Sequence, residues 1–143
     1  MSDIPGLDGI LGVELIERTP DRVVAQWTIG SQHLQPFGIP HGGVYCTVHE
    51  TAASVGGATW FGDRGHVVGA SNTTDFLRQA KPADVITTTA TPIHRGRTQQ
   101  LWAVASADQD GRLIAHGQIR LANLEQAPPP LGNVPVMGAG GTE

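Results

Sequence analysis

The sequence has little of several features that common protein classes require. Cys46 is the only cysteine among 143 residues, so no disulfide can form within the chain and a reducing compartment is expected. No apolar run is long enough to cross a membrane. The first residues, MSDIPGLDGI, lack the basic start and apolar core of a secretion signal. The sequence therefore predicts a cytoplasmic protein that has no membrane partner.

An excess of basic residues is also absent. Lys and Arg number 9 against 13 Asp and Glu, which gives a formal net charge of -4 at pH 7. Nucleic acids and anionic membranes bind basic surfaces, so neither is expected as a main partner.

His41 and His49 do not have the i, i+4 spacing of a helical zinc site. We therefore predict no metal site and no cofactor.

The composition changes near residue 126. Residues 1–125 are predicted to form one domain, which is long enough to bury a core. Residues 126–143, QAPPPLGNVPVMGAGGTE, are rich in Pro and Gly and nearly uncharged. Such a segment cannot bury enough apolar area to offset its chain entropy, so it is predicted to be a flexible tail.

The pattern of apolar residues and turn signals predicts an α+β fold. Strands are predicted over 11–20, 21–30, 66–80, 84–94, 97–108 and 112–124, with one helix over 41–60. Turn signals such as Lys81-Pro82 and Asp110-Gly111 separate later strands, so these strands should pair antiparallel. The order β-β-α-β-β-β-β is that of one antiparallel sheet wrapped around a long central helix.

Glu50 lies within the predicted helix among apolar neighbours. Val48, Ala52 and Ala53 surround it in the sequence, and a carboxylate held among apolar groups is costly unless it is paired or used. The pattern favours a functional carboxylate. The alternative is an ordinary solvated glutamate on a helix.

Gly42 and Gly43 lie where the loop enters this helix. The first N–H groups of a helix have no partner within it, and glycines let a ligand oxygen approach them, which is typical of an oxyanion site. The alternative is that the glycines permit tight packing. Gly42 and Glu50 are eight residues apart, about 12 Å along a helix. If they act on one carbonyl, two chains must contribute, with their helices antiparallel across a two-fold axis.

The segment QPFGIPHGGVYCTVHETAAS resembles the active-site segment of hotdog-fold acyl-CoA thioesterases. The closest groups are the 4-hydroxybenzoyl-CoA thioesterases with a catalytic glutamate and the PaaI-like and menaquinone-pathway enzymes. The motif that carries this resemblance is Gln-Pro-Phe-Gly-x-x-His-Gly-Gly, followed seven residues later by Glu. The resemblance covers about residues 8 to 124. It implies hydrolysis of acyl-CoA esters, with aromatic or other bulky acyl groups favoured, by homodimers or dimers of dimers.

The resemblance also assigns roles to individual residues. Glu50 is implied as the nucleophile or as the general base for water, and the Gly42 N–H as the donor to the thioester carbonyl. Gln35 matches the glutamine near that carbonyl. His41 matches the histidine near the sulfur, and Ser54 the residue that places the water. Glu is contributed by one subunit, and Gln and Gly by the other.

Further residues are implied to bind the substrate or its coenzyme A part. Two arginines in the turn HRGRT suit phosphate oxygens, although a solvated hairpin turn is the plainer alternative. Some relatives have a histidine in the acyl pocket where this chain has Phe76 or a neighbour, which leaves the acyl group open. The predicted binding set is Gly43, Phe76, Arg78, His94, Arg95, Gly96, Arg97 and Thr98.

Two other functions stay open at this point. A hotdog dehydratase or hydratase of 3-hydroxyacyl thioesters would use a loop histidine, and His33 is the candidate. Its loop usually runs from His into Pro-Gly, whereas this chain has His-Gly-Gly. A non-catalytic acyl-CoA-binding protein would have no need for a buried carboxylate opposite an N–H donor.

Overall fold

The computed structural model describes residues 4–125. The predicted tail, residues 126–143, lies outside the described residues, so the domain boundary stays a prediction. The helices are α1 (Leu7–Ile10) and α2 (Gly42–Phe61), and single 3₁₀ turns lie at Ser31–His33 and Gly62–Arg64. The strands are β1 (Glu14–Arg18), β2 (Val23–Thr28), β3 (His66–Phe76), β4 (Val85–Arg95), β5 (Gln99–Ala107) and β6 (Leu113–Leu124).

The six strands form one antiparallel sheet in the order β1-β2-β4-β5-β6-β3. Helix α2 contacts all six strands, so the sheet wraps around it. This architecture confirms the predicted fold class and the predicted order of the long elements. Strand β3 lies at one edge of the sheet and pairs only with β6 among the described residues.

The structure corrects two details of the predicted elements. Helix α1 was not predicted, because its four residues are too few to show helical periodicity and their flanking Gly6 and Gly12 suggest only turns. The strand predicted over 66–80 ends at Phe76. The backbone leaves the β6 ladder there, and the Leu77 and Arg78 N–H groups donate to the Ile114 carbonyl.

Gly56 and Gly57 determine how closely α2 approaches the sheet. A Cβ on Gly56 would lie 2.6 Å from Cη2 of Trp102, and one on Gly57 would collide with Cδ1 of Leu121. The two glycines, which weaken a helix by intrinsic propensity, therefore serve packing here. Trp102 and Leu121 are fully buried beneath them.

His49 is a polar residue within the core between α2 and the sheet. Its side chain is fully buried, with Nε2 2.9 Å from Oγ of Ser106 and Nδ1 3.3 Å from Oγ1 of Thr74. Burial, and secondarily the nearby His116, lowers the pKa of His49 to about 4. The imidazole is therefore neutral at pH 7.

We expect this histidine to make the fold sensitive to acid. An unfolded histidine binds a proton near pH 6.5 and the folded His49 only near pH 4, so the unfolded state binds more protons between these values. The free energy of unfolding should fall as the pH drops through that window, by on the order of 3 kcal/mol from this group. His49→Gln should flatten the dependence in urea titrations, whereas the exposed-residue control His66→Gln should not. Equal slopes in the wild type and His49→Gln would contradict the assignment.

Candidate active site

A cavity of about 740 Å³ opens at the start of α2, where the preceding loop meets the end of β3. We call it the helix-start cavity. Predicted site residues come together on its walls, namely Gln35, His41, Gly42, Gly43, Phe76 and Arg78.

The capping of α2 leaves one particular N–H donor available in this cavity. The Gly43 N–H donates to Nδ1 of His41 at 2.9 Å, and the Val44 N–H donates to the His41 carbonyl at 3.0 Å. Among residues 4–125, no acceptor lies within hydrogen-bond distance of the Gly42 N–H. Gly42 therefore offers an unused donor at the positive end of the helix dipole.

Gln35 supplies a second available donor. Its side-chain oxygen accepts a hydrogen bond from the Phe37 N–H, which fixes which end of the amide is oxygen. No acceptor for its Nε2 is found within the described part of the chain. Two available N–H donors therefore line one cavity, and donors of this kind can stabilise an oxyanion when they converge on it.

Aromatic side chains and one cation also line the helix-start cavity. The Phe76 ring lies against Gly42, where an added Cβ would be 2.7 Å from its Cζ atom. Tyr45 packs beside it with the ring centroids 6.2 Å apart. Burial, with a smaller contribution from Asp84, raises the pKa of Tyr45 to about 12, so its hydroxyl keeps its proton. Arg78 is exposed and pairs with no carboxylate among residues 4–125.

Glu50 lies in a second cavity of about 330 Å³, which we call the Glu50 cavity. Helices α1 and α2 and strand β3 form it through Leu7, Asp8, Cys46, Thr47, Glu50, Thr51 and Asn72. Of these, only Glu50 was predicted as a site residue. The hydroxyl of Thr51 donates to Oδ1 of Asp8 at 2.7 Å and ties α1 to α2.

The prediction that apolar neighbours bury Glu50 is wrong within one protomer, because its side chain is exposed. Successive helix residues point about 100° apart, so neighbours in sequence need not share a face. Val48, Ala52 and Ala53 are fully buried in the core, whereas Glu50 lies at the exposed border of α2 beside the edge strand β3. Its carboxylate lies against Gly69, whose hypothetical Cβ would be 3.2 Å from Oε1.

The available N–H donors and the Glu50 carboxylate thus lie in different cavities of the same protomer. Gly42 and Glu50 are both within the regular helix α2, so about 12 Å separate them along its axis. Ser54, one turn beyond Glu50, is half-buried and lines neither cavity. A single protomer therefore presents two incomplete halves of the predicted site.

Comparison with known proteins identifies the family of the chain. A model of the thioesterase superfamily matches residues 37–115. The chain belongs to this superfamily. Its fold and relatives are those of hotdog thioesterases, and its reaction class is thioester hydrolysis.

Three relatives show how close the similarity is. The crystal structure of AziG from S. sahachiroi is 50% identical, with a TM-score of 0.82, and the match covers 84% of this chain and 97% of that one. Rv1847 of Mycobacterium tuberculosis is 44% identical over 124 residues, 85% of this chain and 88% of that protein. The 1,4-dihydroxy-2-naphthoyl-CoA hydrolase of Listeria monocytogenes is 31% identical over 82% of this chain and 94% of its own length.

The turn at residues 94–98 of this thioesterase does not join the helix-start cavity within one protomer. Arg95 donates to the Pro20 carbonyl at 2.8 Å and to Asp21 at 3.0 Å, and its guanidinium lies 5.4 Å from the Trp60 ring. Trp60 is 18 residues after Gly42, about 27 Å along α2. Arg95 is thus held by protein groups, whereas Arg97, His94 and Thr98 are exposed. The side chain of Asn123 donates to the Gly96 and Arg97 carbonyls and braces the turn.

His33, the candidate loop histidine of a dehydratase, is unavailable to a ligand. Its side chain is 1% exposed, Nδ1 accepts from the Gly30 N–H at 2.9 Å, and Nε2 lies 2.7 Å from the Leu11 carbonyl oxygen. Both ring nitrogens are engaged with backbone, so the residue stabilises the loop.

Across residues 4–125, no three side chains form a metal-binding group, and no helix has the length and apolar character to cross a membrane.

The contact between Gly69 and Glu50 generates a prediction. In Gly69→Ala the added methyl group would crowd the carboxylate, whose flexible side chain has to move by a few tenths of an ångström. Alanine suits a strand at least as well as glycine, so the melting temperature should stay the same or rise. If Glu50 is the predicted catalytic carboxylate, thioesterase turnover should nevertheless fall about tenfold or more, because misplacement of a reacting group is costly. Unchanged turnover would show that Glu50 does not need its present position.

Proposed function

We propose that this thioesterase hydrolyses acyl-CoA esters at a site shared between two protomers. Glu50 comes from one protomer, and the Gly42 and Gln35 donors come from the other. The observation that carries the proposal is the location of the donors and the carboxylate in separate cavities about 12 Å apart along α2. Antiparallel pairing of two α2 helices would bring each carboxylate opposite the partner's donors.

The chemistry follows from the groups available. The Gly42 N–H and the Gln35 amide receive the carbonyl oxygen as it gains negative charge. Glu50 either removes a proton from the attacking water or attacks the carbonyl carbon itself, forming an anhydride that water then hydrolyses. Ser54, one turn along the helix, is proposed to hold that water. The products are a carboxylic acid and the thiol of coenzyme A.

His41 is assigned the hydrogen bond to the leaving sulfur. Its Nδ1 accepts from the Gly43 N–H, so the neutral ring carries its proton on Nε2. The residue lines the helix-start cavity, where this N–H is a donor for the departing thiolate. The helix cap thus fixes the tautomer that the leaving group requires.

The free edge of β3 supports the dimer. This 11-residue strand has no neighbour on one side among residues 4–125, and a long unpaired edge is a template for pairing with another chain. Antiparallel pairing of two β3 edges across a two-fold axis would also make the adjacent α2 helices antiparallel. Exposed Val68 and Phe76 on β3 would lose solvent contact there.

The dimer also changes the position of the 94–98 turn relative to the donors. If Glu50 faces the partner's donor, Trp60 lies only about 15 Å along the axis from that donor, instead of about 27 Å. We therefore assign the phosphates of coenzyme A to Arg97 and the turn of one protomer, with Arg78 of the other as a second cation.

Aromatic side chains at the helix-start cavity favour a bulky acyl group. Phe37 is 91% exposed and lines the cavity together with Phe76 and Tyr45. Aromatic rings contribute contact area through offset stacking with flat substrates. The relative that hydrolyses 1,4-dihydroxy-2-naphthoyl-CoA supports the same class.

Replacement of the carboxylate tests the reaction. Glu50→Gln should lower the turnover of benzoyl-CoA by at least about 10³-fold, because it removes the nucleophile or base. The melting temperature should stay unchanged, since the side chain is exposed in the protomer. Glu17→Gln on β1 removes the same charge elsewhere and should retain activity. Free thiol release measures the rate.

Other outcomes would replace the proposal with a different function. Wild-type protein that binds CoA esters saturably without turnover would indicate a non-catalytic binding protein. Hydration of crotonyl-CoA in place of hydrolysis would indicate a hydratase.

Mixed dimers test the shared site directly. Proline is tolerated at the first position of a helix and lacks the N–H, so Gly42→Pro removes this donor. The exposed side chain of Phe76 has to move aside to make room for the pyrrolidine ring. Each single variant should be inactive alone. Co-refolding Gly42→Pro with Glu50→Gln subunits should restore about a quarter of wild-type activity, because half of the dimers would hold one intact site. No recovery despite proven subunit exchange would place both groups in one chain.

A further inference from the structure

A chain of hydrogen-bonded side chains connects the buried core to the Glu50 cavity. The hydroxyls of Thr88 and Ser106 lie 2.7 Å apart, and Ser106 contacts Nε2 of His49 at 2.9 Å. Nδ1 of His49 contacts Oγ1 of Thr74 at 3.3 Å, and the Thr74 hydroxyl donates to Oδ1 of Asn72 at 2.8 Å. The chain ends at the Asn72 side chain, which lines the Glu50 cavity.

The direction of each hydrogen bond in this chain is determined. The amide nitrogen of Asn72 donates to the Cys46 carbonyl at 2.8 Å, so the other end of its carboxamide is the acceptor. Thr74 donates its only hydroxyl proton to that acceptor and can only accept from His49. Neutral His49 therefore carries its proton on Nδ1 and accepts at Nε2 from Ser106, which accepts in turn from Thr88.

This arrangement leaves one N–H of Asn72 unused. The amide nitrogen has two hydrogens, and the Cys46 carbonyl takes one of them. For the second, residues 4–125 offer no acceptor within hydrogen-bond distance. An unused donor in the cavity that also holds Glu50 is available to a bound molecule.

We propose that Asn72 is a substrate-recognition residue that donates a hydrogen bond to an oxygen substituent of the acyl group. Thr74 and His49 are positioning residues that fix which end of the carboxamide faces the cavity. This inference rests on the proposed function, because it takes the Glu50 cavity of one protomer and the helix-start cavity of the other as two walls of one acyl site. The thioester carbonyl oxygen is received by Gly42 and Gln35 of the other protomer, so a third donor serves a different oxygen.

The location of Asn72 supports this role. It is held by the carbonyl of Cys46, one turn before Glu50, and helical side chains lean toward the N-terminus of their helix. The carboxylate of Glu50 therefore leans toward the level at which the Asn72 amide lies. A substituent on an acyl group attacked by Glu50 would pass close to this amide.

The test compares benzoyl-CoA with its 2-, 3- and 4-hydroxy derivatives. The wild type should have a higher kcat/KM for at least one hydroxy isomer than for benzoyl-CoA. Asn72→Leu should lower that preference, the ratio of the two kcat/KM values, about 3- to 10-fold, which is the value of one hydrogen bond. Thr74→Val should act in the same direction, because the carboxamide is then free to turn. Thr73→Val, an exposed neighbour on the same strand, is the matched control and should have no effect.

Two kinetic results would overturn the proposal. The first is an equal loss on all four substrates in Asn72→Leu, which would make the residue purely structural. The second is a wild type without any preference among the four esters, as expected if the free N–H binds only water.

A measurement without turnover separates this inference from the proposed function. In ¹⁵N spectra, His49 should be the neutral Nδ1–H tautomer, and the Asn72 amide signals should shift with a hydroxybenzoate but not with benzoate. Those shifts in a protein that hydrolyses no CoA ester would contradict the proposed function alone. Hydrolysis without the shifts, or an Nε2–H tautomer, would contradict only the role of Asn72.

Discussion

The rigid length of α2 is the constraint on which the proposed catalytic arrangement depends. An α-helix advances about 1.5 Å per residue, so eight residues hold the Gly42 donor and the Glu50 carboxylate about 12 Å apart. No side-chain rotation removes this distance, because the oxyanion donor is a backbone group. A thioester carbonyl needs both groups within about 3 Å. The separation that makes one protomer incomplete makes two antiparallel protomers complementary, and the unpaired β3 edge provides a surface on which they can join.

His41 accepts hydrogen bonds from backbone N–H groups at the start of α2 and so determines which of them stays available to a ligand. A helix begins with several N–H groups that have no partner, and any of them can attract an anion. The His41 side chain and carbonyl accept from Gly43 and Val44, which leaves the Gly42 N–H available in the cavity. One residue thereby caps the helix, selects the available donor and sets its own tautomer. The Gly-Gly pair alone fits tight packing as well as an oxyanion site, and the histidine before it determines which N–H at the helix start stays available.

The order of the long elements was predictable because strands and turns leave local signals, and the motif around Gly42 and Glu50 was predictable because it is contiguous. The exposure of Glu50 was not predicted, because neighbours in sequence point in different directions from a helix, so the burial of Val48, Ala52 and Ala53 does not extend to Glu50. Asn72 and Asp8 line the Glu50 cavity, and Gly69 contacts the Glu50 side chain, only because β3 pairs with β6 and α1 docks on α2. No spacing along the chain encodes that proximity. The turn at 94–98 shows the converse, since its basic pattern indicated phosphate binding, yet the structure ties Arg95 to Asp21 and Trp60.

Burial of the polar side chains hydrogen-bonded through His49 costs free energy, and this cost helps to explain why their donors and acceptors are matched. A neutral imidazole and hydroxyls in a core contribute less than apolar side chains of the same volume unless every donor and acceptor is matched. Here Thr88, Ser106, His49 and Thr74 are matched in one direction, and the unmatched N–H appears only at the end of the chain, in a cavity open to ligands. In the proposed role of Asn72, this chain fixes which end of the carboxamide faces the Glu50 cavity, and the lowered pKa of His49 keeps the imidazole neutral at neutral pH.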